Sequence, residues 1–422
     1  MRRCLAAAMA ATIAASWSPG GVRTAGVSPA GAQRLAPGET VRDRPHPWRE
    51  RHGIRLSGFT LHPSLTATTT VDDNIRARGT GGETDVVMEV RPALALRSRW
   101  PRHGVRARLA AQARRHAANP DQDRWRARLR LAGHLDPTPA SRLDASARAV
   151  RRREPPGDPD SRAGATPARI TELTASLSGD VRVNALRLRT GLTLGRKDVA
   201  DARAAGGSVI DNDDRDRRSA RGHARIGWDI APGLTSYSKV IVARTVFPND
   251  GAAGGLDRDA TGMAVIGGTD FALTDRTFGT AFSGVRRQRF DAPGLGGKQG
   301  VVSGLSLTST ITPLITVKLQ GDRTLELTTA GGAAALRATA ARVSYDHELL
   351  RRLMVRANAS HTQADYIGLG RRDHITGARL ALTYGLNSRV HLKAHYRHDR
   401  RTSTNGATFA RNRVGVGVEL RY

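Results

Sequence analysis

The final stretch, Arg413 to Tyr422, reads R-V-G-V-G-V-E-L-R-Y. Val414, Val416, Val418, Leu420 and Tyr422 fall on one side of an extended chain, and Arg413, Gly415, Gly417, Glu419 and Arg421 on the other. Strict alternation of this kind is a β-strand with one apolar face and one small or charged face. In a soluble protein the valines would pack on a core. In a membrane barrel they would meet lipid while the arginines line a wet interior.

The pattern recurs along the chain. Phe59, Leu61, Pro63, Leu65 and Ala67 share a face in the first strand, which begins near Leu56. In the second, Val86, Met88, Val90, Leu94 and Leu96 oppose Glu89, Arg91 and Arg97, and in the third Val105, Ala107 and Leu109 oppose Arg106 and Arg108. The fourth is the cleanest, with Trp125, Ala127, Leu129 and Leu131 against Arg124, Arg126, Arg128 and Arg130. Later, Leu186, Leu188, Leu192 and Leu194 oppose Arg187 and Arg189, and Ala224, Ile226, Trp228 and Ile230 oppose Arg221 and Arg225. The segment Leu234–Phe247 has no assignable facing. Counting hairpins to the end gives about eighteen strands, an all-β chain forming one transmembrane antiparallel barrel over residues 56–422.

Loop lengths sort by side. Trp100–Gly104, Gly179–Val181, Ala231–Gly233, Leu273–Arg276, Thr312–Pro313, Asp346–Leu350 and Gly385–Ser388 are short. The interleaved connections, among them Val71–Glu83, Arg153–Ala168, Asp198–Asp216, Pro248–Arg258 and Ile367–Asp373, are mostly longer. Short periplasmic turns and longer extracellular loops are the asymmetry of an outer-membrane barrel. The parity sends the last strand down to the periplasm, where the N-terminus also lies. Trp100, Trp228, Tyr237, Phe278, Tyr345, Tyr384 and Tyr422 near the short turns, with Phe247, Phe290, Tyr366 and Phe409 near the long loops, suggest two interfacial girdles.

Composition bounds the partners. Of 422 residues 67 are basic and 38 acidic, a net charge of +29. All the basic residues except Lys197, Lys239, Lys298, Lys318 and Lys393 are arginines. A skew toward Ala, Gly and Arg accounts for part of that magnitude but not for the placement of the charges. A charged start (Met1-Arg2-Arg3), an Ala-rich apolar run and Ala30-Gly31-Ala32 form a signal peptide over residues 1–32, followed by an irregular periplasmic lead over 33–55. The sole cysteine, Cys4, lies in that signal, so the exported chain has no thiol or disulfide chemistry. Export, and the lack of a basic patch interleaved with aromatics, argue against nucleic-acid binding.

The arginines cannot face lipid, because each would cost roughly 2–4 kcal/mol at mid-membrane. Arg91, Arg97, Arg106, Arg108, Arg124, Arg126, Arg128, Arg130, Arg187, Arg189, Arg221, Arg225, Arg397 and Arg413 are therefore expected to line the interior and favour anions. The competing expectation is internal neutralisation by Asp and Glu. Arginines at strand ends would instead meet lipopolysaccharide phosphates. No catalytic motif stands out: His347-Glu348 lacks a second histidine, and Gly294–Gln299 lacks the residues of a phosphate loop. Asp211–Asp216 has Asp216 where a calcium loop needs glycine. His391 and His395 share a face with Lys393 and Arg397, a cationic row and not a metal site. No enzyme activity, cofactor or metal is expected.

Phe59-x-Leu61-x-Pro63, Asp72-Asp73-Asn74-Ile75, and Pro92-x-Leu94-x-Leu96-x-Ser98-x-Trp100-x-Arg102-His103 resemble the start of the outer-membrane β-barrel porins of the second type. Tyr396–Arg401 and Asn412–Tyr422 resemble that family's last hairpin; Val71, where an aromatic is frequent, departs from it. The resemblance implies a Gram-negative outer-membrane barrel, often encoded beside exopolysaccharide export genes, with polysaccharide export components as partners. It also implies that Tyr422 is the terminal signal read by the barrel-assembly machinery. The expected function is passage or export of a polar, anionic solute. The alternative is a non-transporting barrel with a plugged lumen and an adhesive or structural role.

Overall fold

The computed structural model describes residues 39–50, 52–155, 167–204, 206–248, 257–328 and 333–422. The expected signal peptide lies outside them. The fold is a closed antiparallel barrel of 18 strands. A short arm, β1 (Ile54–Leu56), pairs with the start of β2 (Phe59–Asp72), so the barrel wall begins a few residues later than Leu56. Then come β3 (Asp85–Ser98), β4 (Gly104–His116), β5 (Arg124–Thr138), β6 (Ser141–Arg153), β7 (Arg169–Val183) and β8 (Leu186–Val199). A loop hairpin of β9 (Ala202–Arg203) and β10 (Val209–Ile210) follows. The wall continues with β11 (Arg217–Ala231), β12 (Leu234–Val246), β13 (Ala260–Thr274), β14 (Thr277–Phe290), β15 (Lys298–Thr312) and β16 (Ile315–Leu327). It ends with β17 (Ala335–Leu350), β18 (Leu353–Tyr366), β19 (Arg371–Gly385), β20 (Val390–Ser403) and β21 (Phe409–Arg421).

Each strand pairs with its neighbours in sequence, and β2 pairs with β21 from Ser64 opposite Arg421 to Asp72 opposite Arg413. That last ladder removes the two free edges, which no strand in lipid can leave unpaired. Wall strands of 13 to 16 residues are long enough to cross a hydrocarbon layer at a barrel's tilt. The outward face carries the apolar set: Val414, Val416, Leu420, Leu129, Leu192, Ile226 and Trp228 are all exposed on the protein alone. Residues opposite one another in a ladder share a face, so the register fixes inward and outward for the whole wall.

The structure moves three details. The β7–β8 turn is Asn184-Ala185, not Gly179-Asp180, because Leu177, Gly179, Val181 and Val183 continue one outward row and Asn184 takes the left-handed conformation a tight hairpin needs (φ 51°). The β17–β18 turn likewise falls at Arg351-Arg352, beyond Asp346–Leu350. The β18–β19 connection is short, since β19 already starts at Arg371. In β12 the outward row is Ser238, Val240 and Val242; Ile241 faces inward beside Ala264 and Ile266, and this inward apolar side chain is what blurs the alternation.

The two girdles are not symmetric. Trp100, Trp228, Tyr384 and Tyr422 are exposed near the short turns, and Phe59 stacks edge-on against Trp100 at 5.4 Å. Tyr237 and Phe278 point inward instead. At the long-loop end Phe247, Phe290, Tyr366 and Phe409 also sit on the inward register, three of them buried. Phe290 packs with Leu325 and Ala335, and Tyr366 with Leu336 and Ala364, forming small apolar clusters under the loops. Aromatic position along a strand does not fix its face.

Closure through β21 depends on glycine. A side chain at Gly417 would collide with the Thr68 methyl and the Ala67 carbonyl oxygen, an overpacking penalty of roughly 1–3 kcal/mol. A Gly417→Val variant is expected to lower the temperature at which the fast-migrating folded band is lost in heat-modifiable electrophoresis. Val416→Ala, on the lipid side, should leave it nearly unchanged; equal behaviour of the two would contradict the seam.

Candidate functional site: the arginine-lined lumen

Every one of the predicted arginines falls on the inward register. Arg97 lies opposite Arg106, Arg108 opposite Arg130, Arg130 opposite Arg148, Arg114 opposite Arg124, and Arg126 opposite Arg152. On the far side Arg225 opposes Arg189 and Lys239, Arg221 sits two residues before His223, and Arg397 opposes both Arg379 and Arg413. Directly opposed side chains stand about 5 Å apart at Cβ, where like charges repel.

The inner wall treats this repulsion in two ways. On much of β19, β20, β21, β2 and β3 it is neutralised by buried or half-buried acids. Glu89 accepts hydrogen bonds from Arg114 (2.5 Å) and Gln112 (2.8 Å) and pairs with Arg91. Asp399 binds Arg397 at 2.8 Å and also Arg413. Glu419 holds Lys393 at 2.7 Å and Arg421 at 2.5 Å. Near the outer rim, Asp373 takes Arg371 and Arg401, each at 2.6 Å, and Arg411 binds Asp72. Arg187 and Arg189 are held by Asp229 and Asp180, and Arg225 by Asp270.

Along the middle of β4, β5 and β6 acids are missing, while Asp136 and Asp144 hold Arg142 at the short-turn end. Among the described residues, no carboxylate comes within salt-bridge distance of Arg106, Arg108, Arg126, Arg128, Arg130 or Arg148, and the same holds for Arg97, Arg124 and Arg221. The Nε groups of Arg126 and Arg128 are buried without a hydrogen-bond partner. Glu172 on β7 is the nearest relief and binds Arg152 at 3.3 Å. Internal neutralisation thus holds for one part of the wall, and the other part keeps inward arginines without acid partners among the described residues. Sequence reasoning missed Arg148 and Arg379. The outward rows Ala145–Ala149 and Leu380–Leu382 were the signals that placed them inside.

Residues 39–50, expected to be irregular, fold against the inner wall at the short-turn end. Val41 and Trp48 are buried with Met354. The Val41 amide donates to the Thr316 hydroxyl at 3.0 Å, the Thr310 hydroxyl donates to the Glu39 carbonyl at 3.2 Å, and Arg44 pairs with Glu348. His391, fully buried, bonds the Trp48 carbonyl through Nε2 at 3.0 Å. Trp48 reaches the wall because Gly385 has no side chain; a Cβ there would strike its ring. His391 is therefore an anchor for this segment and not part of an open cationic row. Burial pushes the His46 imidazole below its ordinary value, with Arg49 and Arg44 adding to the effect against a bond to the Val41 carbonyl. Arg49 is held down to about 10 by burial and by Arg421, Arg42 and Arg356.

In the long loop between β8 and β11, Asp201, Asp211 and Asp213 bring carboxylate oxygens within 4.8 Å of one another, all exposed. Asp211 and Asp201 accept the amides of Asp213 (2.8 Å) and Asn212 (3.1 Å), so turn geometry accounts for their approach. Burial, then Asp211 and Asp201, push the Asp213 carboxyl up. Tyr422 is exposed at the periplasmic rim, its amide bonded to the Pro63 carbonyl at 3.1 Å and its ring under Arg389.

Comparison with known proteins gives a family and a set of barrels. The family model described as "Putative beta-barrel porin 2" matches residues 46–422. No curated protein matches the chain. Among solved structures, OccK2 (OpdF) of Pseudomonas aeruginosa in complex with glucuronate aligns at 13% identity, over 86% of this chain and 98% of its own, with TM-score 0.45. OccK3 (OpdO) of the same organism aligns at 14%, over 86% and 96%, with TM-score 0.43. The copper transporter OprC aligns at 10%, over 88% and 82%, with TM-score 0.47.

Two outcomes follow for the docked segment. Trp48→Ala removes about 3 kcal/mol of packing, so amide hydrogen exchange over 40–50 should rise by roughly two orders of magnitude. Exchange unchanged from wild type would mean that the segment is not held by this contact. For His46 the folded value is depressed, so its contribution is complete above the ordinary 6.5 and is lost as pH falls below it. Protection factors over the segment, corrected for the intrinsic exchange rate at each pH, should fall on acidification through that window, and His46→Gln should flatten the dependence. Protection that rises at low pH would show that the nearby Glu348 carboxylate governs His46 instead of burial.

Proposed function

Because the chain belongs to the Putative beta-barrel porin 2 family, we propose that this outer-membrane barrel passes polar, anionic solutes through its lumen. The observation that carries the reading is the field of Arg106, Arg108, Arg126, Arg128, Arg130 and Arg148, set side by side with no carboxylate between them among the described residues. Directly opposed like charges destabilise a ladder unless a further negative group stands near them. A solute carrying carboxylates or phosphates supplies it, and guanidinium forks match both geometries. A wall lined by one sign of charge also concentrates oppositely charged solutes.

An acidic exopolysaccharide fits this chemistry, since its regularly spaced carboxylates would meet successive arginines along the wall. That link rests on the family resemblance and on charge complementarity. The neutralised half of the wall then serves stability, with Asp399, Glu89 and Glu419 tying adjacent strands together. A second reading, a barrel that conducts nothing, draws support from the segment 39–50 docked in the periplasmic mouth.

Planar-bilayer recording separates the readings. The refolded protein should conduct with a reversal potential favouring anions, and Arg130→Glu with Arg148→Glu should move that potential toward cations. Wild-type protein that prefers cations would overturn the anion assignment. A silent wild-type barrel that conducts once residues 39–50 are deleted would favour the plugged reading.

A further inference from the structure

On the lipid side, the stretch of wall from β5 to β12 carries a groove of about 570 Å³. Its floor is made of small side chains. Ala149 lies opposite Leu129 and Leu173, Ala147 opposite Leu131 and Ala175, and Ala175 opposite Leu194. Alanine rows between leucine rows leave a shallow apolar channel along the wall. The ladder register continues this row out of the apolar zone: Leu173 is opposite Arg196, and Arg196 is opposite Arg218.

Arg196 and Arg218 are outward-facing, exposed and adjacent. They lie close to the long-loop ends of β8 and β11, at the level of the extracellular interface, where an outward arginine costs only about 0–1 kcal/mol. Arg218 has no carboxylate partner among the described residues, and Arg196 has Asp198 only at 3.8 Å. The neighbouring Arg244, also lining the groove, is by contrast held by Asp291 at 2.6 Å and by Asp259. Further outward arginines, Arg151, Arg153 and Arg169, continue the cationic rim on β6 and β7, with Arg151 over the Trp125 ring at 5.7 Å. None of these groups faces the lumen, so nothing in the proposed passage of solutes uses them.

We infer that this groove is a site for one phosphorylated glycolipid of the outer leaflet, lipopolysaccharide through its lipid A. An acyl chain lies along the alanine floor and a phosphate sits between Arg196 and Arg218. Three features favour this occupant over a phospholipid. The arginine pair is on the extracellular side, where the leaflet is built from lipid A. The cationic rim extends beyond the pair, matching a headgroup with more than one phosphate. The groove meets several strands abreast, suiting a lipid with several acyl chains. A phosphate between the two guanidiniums would replace their mutual repulsion with charge-assisted hydrogen bonds.

The test is native mass spectrometry of the refolded barrel in detergent, titrated with lipid A and, separately, with phosphatidylglycerol. Wild type should hold lipid A in preference to phosphatidylglycerol. Arg196→Ala with Arg218→Ala should weaken lipid A binding about tenfold or more. Ala149→Phe, which fills the floor and leaves every charge in place, should weaken it too. Arg196→Lys with Arg218→Lys should keep most of the binding, and heat-modifiable migration reports that each barrel is folded. Lipid A binding unchanged in the alanine pair, or phosphatidylglycerol bound as tightly as lipid A by wild type, would overturn the assignment. Bilayer selectivity should be the same in all these variants, which separates this site from the lumen.

Discussion

A backbone amide or carbonyl left unpaired in hydrocarbon costs several kcal/mol, and the whole molecule follows from that one constraint. The ladder between β2 and β21 meets it by closing the sheet, leaving no edge. Once the sheet is closed, each residue faces lipid or interior by parity alone, and the parity is set by the hydrogen-bond register. The outward rows of Val, Leu and Ala then assign the arginines that alternate with them across the apolar zone to the inside. The interior did not need to be selected arginine by arginine; its charge is the complement of an apolar outer surface.

Inside, the wall divides by whether acids accompany the bases. Around β19–β21 and β2–β3, Asp399, Glu419 and Glu89 each serve two cations, and their pairing follows the i, i+2 spacing of one strand as often as the cross-strand register. Along the middle of β4–β6, Arg106, Arg108, Arg126, Arg128, Arg130 and Arg148 have no carboxylate within salt-bridge distance among the described residues. Buried pairs of the first kind are costly to break, because removing one partner strands the other away from water. The unaccompanied set is exposed to whatever fills the lumen. Paired and unaccompanied arginines thus occupy different arcs of one ring.

Much of this was legible in the sequence because period-two patterning is local. Trp125 to Arg130 assigns β5 without reference to any other strand, and loop lengths supply the direction. What could not be read depends on distant partners. Trp48 is buried because Gly385 leaves room and His391 supplies a hydrogen bond, 343 residues along the chain from Trp48. Phe290 and Tyr366 sit at strand ends that composition alone assigns to an interfacial belt, yet their register turns them inward under the loops. Turn position failed where alternation ran on through an apparent break, as at Gly179, which is one more outward residue between Leu177 and Val181. The acids that accompany Arg397 and Arg413 are visible in sequence, but which arginines lack them depends on strand neighbours.

The rows Arg97–Arg106 and Arg108–Arg130–Arg148 also carry an obligation that the protein itself does not discharge. Electroneutrality requires the aqueous interior beside them to hold mobile anions at rest. On the proposed reading, an anion that enters arrives at an occupied surface and advances by ion exchange. A species with several charges releases several resident ions, and their mixing entropy with bulk solution favours its capture. Valence, set by the number of adjacent arginines, becomes a property the lumen can measure independently of its width.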